Sequence, residues 1–128
     1  MRSDAVLIIG NELHEELLEA FFEAGLTAVA RPASVDTFAR VRQRSYDALI
    51  IDEGDPERDV LEVVLNIRDY DEEVPIIVLG GKTPAVREEL LRSLGVHWLN
   101  RDDRPREVAR SVQSVTDTAA KQRGGEGS

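Results

Sequence analysis

Short apolar runs alternate along this chain with segments of helical period, the pattern of a parallel sheet covered on both faces by helices. Ala5 to Ile9 forms the first run, and Leu13, Leu17, Phe21 and Ala24 then recur at helical spacing up to a stop at Gly25. Thr27 to Ala30 predicts a weaker strand. Ser34 is a good N-cap for a helix with Val35, Phe38 and Val41 inward. The run Ala48-Leu49-Ile50-Ile51 ends in Asp52, and Val60, Leu61, Val64, Leu65 and Ile67 mark the helix after it. Val74 to Leu79 is the plainest strand. Val86, Leu90 and Leu94 follow at helical spacing, stopped by Gly95, and Val96 to Leu99 is the last strand. Asp103 and Pro105 open a final helix carrying Val108, Val112 and Val115, since proline is tolerated in a first turn. Residues 1–118 thus form one doubly wound α/β domain, and the polar, Gly-rich stretch 119–128 is expected to be a disordered tail or linker.

The 128 residues and 41% hydrophobic content suit one compact domain with its own core. A net charge of −9 argues against direct contact with nucleic acid or an anionic membrane, both of which call for a basic surface. Without cysteine, thiolate catalysis, zinc-thiolate sites and disulfides are excluded. No apolar run approaches the roughly 20 residues of a membrane span, and Met1 to Asp4 leads straight into a strand rather than a signal peptide; the expected location is the cytoplasm.

Candidate chemistry centres on Asp52. A continuous apolar run bounded by Gly54 and Pro56 implies a strand buried on both faces, with the carboxylate at its carboxyl end, where open α/β sheets hold their sites. Competing motifs fail. Gly80-Gly81-Lys82-Thr83 lacks the earlier glycine of a phosphate-binding P-loop, which would fall at Ile76, and Gly10 is no dinucleotide fingerprint by itself. His14 and His97 have no nucleophile at a suggestive spacing, so no enzyme is expected.

Three stretches resemble the receiver (CheY-like) family of bacterial two-component signalling: Asp52 with Pro56, the strand Val74-Pro75-Ile76-Ile77-Val78-Leu79, and Arg104-Pro105-Arg106-Glu107-Val108 opening the last helix. The resemblance covers about residues 5–115 and implies a five-stranded sheet of order 2-1-3-4-5 with five helices. It implies Asp52 as phosphoacceptor, taking a phosphoryl group from a histidine kinase, and a weak magnesium site at Asn11, Glu12, Asp52 and the Gly54 carbonyl, where the family carries an acidic pair after its first strand. Gly80 stands where the family has a Thr or Ser hydroxyl, Arg101 where it has a lysine, Asp102 where it has a proline, and Trp98 at its switch aromatic. Of that set only Asp52 is intact. The resemblance therefore implies an atypical receiver, or pseudo-receiver, working through protein contacts with no required cofactor; the alternative is a phosphorylatable, magnesium-dependent response regulator.

The expected partners are a histidine kinase or an output protein, with a homodimer possible through the fourth helix, fifth strand and fifth helix. That face would include Arg87, Arg92, Trp98 and Arg106. The first helix carries Glu12, Glu15, Glu16, Glu19 and Glu23 opposite its apolar side, a solvated acidic face or a dock for a basic segment.

Overall fold

The computed structural model describes residues 5–10, 15–32, 34–52, 60–80, 85–100 and 102–127, with the backbone alone at 85–88, 120 and 122–127. Five parallel strands alternate with five helices: β1 (Ala5–Ile9), α1 (Glu15–Glu23), β2 (Thr27–Arg31), α2 (Val35–Gln43), β3 (Ala48–Asp52), α3 (Val60–Tyr70), β4 (Ile76–Gly80), α4 (Ala85–Ser93), β5 (Val96–Asn100) and α5 (Pro105–Gly127). The order across the sheet is β2-β1-β3-β4-β5, as the resemblance implies.

Strand alternation divides the apolar side chains between two cores. Leu7, Ile9, Leu49, Ile51, Ile76 and Val78 meet Val41 of α2, Val60, Val64 and Ile67 of α3, and Leu91 of α4. Val6, Ile8, Ala48, Ile50, Ile77 and Leu79 meet Leu17 and Phe21 of α1 and Val108, Ala109 and Val112 of α5. The central strands β3 and β4 are buried throughout, which is why they are apolar runs without alternation. At the edge, β2 alternates between exposed and half-buried positions.

Two helices are turned relative to the pattern expected from sequence. Val35 is 85% exposed, and its inward place goes to Thr37. The Ser34 cap sets that phase: its Oγ accepts the Thr37 N–H at 3.2 Å, while Thr37 Oγ1 donates to the Pro32 carbonyl at 2.7 Å. Ser34→Ala should lower unfolding free energy by about 1 kcal/mol, read from the urea midpoint at unchanged slope. In α4 the fully buried leucine is Leu91, while Leu90 is 46% exposed, a one-residue rotation that a doublet of leucines leaves undecided. The last helix runs through Ala119 to Gly127, past the point where composition predicts a tail. Ala119, Ala120, Lys121, Gln122 and Arg123 are all good helix formers, so propagation beyond the packed turns costs little.

Candidate functional site

The carboxyl ends of the strands bring together Gly10, Asp52, Gly80 and Asn100. After β1 the Gly10 N–H donates to the Arg31 carbonyl at 2.9 Å. Asp52 closes β3 opposite Leu79 and is only 3% exposed, a carboxylate held at the end of a strand whose other side chains are wholly buried. Asn100 ends β5 in a turn: its Oδ1 accepts the Asp102 N–H at 2.9 Å and its carbonyl accepts the Asp103 N–H at 3.1 Å. That turn leads into α5.

Gly80 has a physical reason to be glycine. It pairs with Asn100, so the side chain of Trp98, two residues earlier on β5, leans along the same sheet face. A β-carbon built on Gly80 would stand 2.8 Å from Cε2 and Cη2 of the indole and closer still to Cζ2. The six-membered ring therefore rests against the glycine backbone, in the volume that any larger residue would fill. Trp98 is half-buried and packs on the core under α2, α3 and α4. Alternation puts Asp52 on the opposite face, with Ala48 and Ile50.

The other sequence-predicted positions divide as follows. Asn11, Glu12, Gly54 and Arg101 lie outside the described residues, as does the side chain of Arg87. Among the described residues no three acidic or imidazole groups come together to hold a metal. Arg92 and Trp98 line the same cleft, with Ile77, Val96, His97, Leu99 and Val115, of about 340 Å³ on the β5 side. Arg106 is exposed on the first turn of α5 and is not part of that lining. Glu15, Glu16, Glu19 and Glu23 are all exposed on α1, as the acidic-face reading requires.

Sequence reasoning missed Arg68. From the last turn of α3 its Nε donates to the Leu94 carbonyl at 3.0 Å, and one terminal nitrogen donates to the carbonyls of Asp71 at 3.2 Å and Val74 at 2.9 Å. One guanidinium thus ties the ends of α3 and α4 to the entry of β4. Burial pushes it below its ordinary pKa, opposed by the charges of Asp71 and Glu72. A basic residue in a helix's last turn was the available signal, but it does not tell which distant carbonyls the fork will reach.

No family model matches this chain, and no curated protein matches it by sequence. Solved structures do. The chain is similar to the chemotaxis response regulator CheY4 of Vibrio cholerae, with 18% identity, a TM-score of 0.75, and coverage of 89% of this chain and 99% of that one. It is also similar to a CheY-like receiver domain protein from Methanospirillum hungatei JF-1, with 12% identity, a TM-score of 0.81, and coverage of 94% and 99%. The receiver domain of the Francisella response regulator 1452 gives 16%, 0.78, 91% and 98%. At this identity the likeness shows the fold, and the fold is the receiver one.

Proposed function

We propose that this chain is an atypical receiver of a bacterial two-component or phosphorelay system, a cytoplasmic binding module that signals through protein contacts with little or no phosphoryl transfer. The observation that carries the reading is the indole of Trp98 lying against Gly80. A phosphoryl group on Asp52 would bring negative charge that needs donors and cations around it. Position 80 has no hydroxyl to offer, and the indole takes the space in which one would stand. The donor set is also poor for magnesium, since Asn11 offers a neutral amide where the resemblance implies an acid. Partner binding falls on the cleft of Arg92 and Trp98, with positions Arg87 and Arg106 as further candidates, since the sequence offers there an aromatic anchor and cations that suit acidic protein segments.

One observation favours the alternative: Asp52 is buried at the end of a central strand, the place for a phosphoacceptor. An amide NMR titration with magnesium and then beryllofluoride, which mimics a phosphoryl group on a carboxylate, separates the two. The expected result is no saturable shift at Asp52, Gly80 or Asn100. Saturable shifts that vanish in Asp52→Ala would establish a working acceptor and refute the proposal.

A further inference from the structure

We propose that the groove between α2 and α3 is a docking site for a partner protein, which inserts a short amphipathic helix carrying a branched aliphatic anchor and, one turn from it, a carboxylate. The site is separate from the β5-side cleft and does not depend on whether Asp52 accepts a phosphoryl group. Val35, Phe38, Ala39 and Arg42 of α2 and Asn66 and Tyr70 of α3 line it around about 240 Å³.

The apolar end of the groove follows from the Ser34 cap. With Thr37 turned inward to the Pro32 carbonyl, Val35 is left at the groove's rim, 85% exposed and absent from both cores. Phe38 packs on the core yet stays half-buried, and the small side chain of exposed Ala39 keeps the space beside it open. A branched side chain seated on these three takes out of water apolar surface that folding leaves uncovered.

Arg42 decides the charge of the occupant. Its guanidinium carbon stands 5.2 Å from the centre of the Tyr70 ring. Among the described residues no carboxylate lines the groove: Asp36, Glu62 and Asp69 are exposed outside it, as is Arg40. Burial pushes Tyr70 above its ordinary pKa, opposed by the Arg42 charge, so the phenol is neutral and adds no anion. Arg40 and Arg42 both complement the helix dipole from the last turn, but it is Arg42 that is held over an aromatic ring. An arginine held this way is ready to donate two N–H groups to one carboxylate. Spacing sets the form of the occupant. Arg42 lies one turn beyond Phe38, about 6 Å along the axis, which is the separation of residues four apart on a docked helix.

The test titrates the full chain into two fluorescent helical peptides of about 15 residues that share a stripe of leucines, flanked by glutamates in one and by lysines in its twin. Anisotropy should show saturable binding of the glutamate peptide and binding of the lysine twin at least about tenfold weaker, with amide NMR shifts centred on Val35, Ala39, Asn66 and Tyr70. Arg42→Glu should reverse that preference, and Val35→Asp should weaken the glutamate peptide about tenfold. Both side chains are exposed, so these variants should keep the wild-type fold and melting temperature. Arg40→Glu, the same reversal outside the lining, should change binding less than about threefold. Equal binding of the twins, no saturation up to about 1 mM, or shifts centred on the β5-side cleft would overturn the proposal. So would a dimer of the chain alone, seen by sedimentation velocity and dissolved by Arg42→Glu, because the groove would then hold a second copy.

Discussion

Gly80→Thr is expected to expel the indole of Trp98 from its seat and to destabilise the domain by about 1–3 kcal/mol, the usual cost of overpacking a closed contact. The reason is steric: even a β-carbon at position 80 falls within 2.8 Å of three ring atoms. The ring is the cheaper group to move, because the glycine backbone is tied into the ladder between β3 and β5. Trp98 is the only tryptophan in the chain, so its emission reports the event without ambiguity: a red shift as the ring enters water, together with a melting temperature lower by several degrees. Trp98→Ala supplies the control. Removing the ring costs stability by itself, but Gly80→Thr added to it should cost little, and the pair should couple strongly in a double-mutant cycle. Unchanged emission and stability in Gly80→Thr would mean that the space is not the ring's, and the main support for an atypical receiver would fall with it.

Arg68→Met should cost a similar amount, about 1–3 kcal/mol, although it keeps most of the aliphatic stem. Its guanidinium donates to three carbonyls, those of Leu94, Asp71 and Val74, which methionine leaves without that donor. A positive charge at the ends of two helices is lost as well. Arg68→Lys should recover only part, since an ammonium cannot span the acceptors as a planar fork does. Chemical denaturation gives the size of the loss, and hydrogen exchange gives its place: faster exchange at the α4–β5 and α3–β4 junctions, with β1 changed only through global stability. Uniform acceleration everywhere would contradict the local clamp.

The fold was legible because buried parallel strands must be apolar throughout, and the helices between them must carry one apolar stripe. That is why the boundaries of β1, β3 and β4 fall within a residue or two of the expected ones. Asp52 was legible for a related reason: a carboxylate ending such a run interrupts its composition. The phase of α2 was harder. Phe38 and Val41 do pack inward, yet Val35 is exposed and its place goes to Thr37, whose hydroxyl is satisfied by the Pro32 carbonyl. Hydrophobicity cannot anticipate a polar side chain buried by a local hydrogen bond. Leu90 and Leu91 pose the same difficulty, since only packing chooses between adjacent leucines.

For the site, the sequence showed that position 80 has no hydroxyl; the structure supplied what stands there instead. By itself the sequence determined the order of elements, the position of the strand-end carboxylate Asp52 and the acidic face of α1, because each depends on the identity and spacing of neighbouring residues. The tertiary structure alone decided that Trp98 rests on Gly80 and that Arg68 reaches from α3 to α4 and β4. Those facts depend on which residues the crossovers bring side by side, and a chain carries no local record of its distant neighbours.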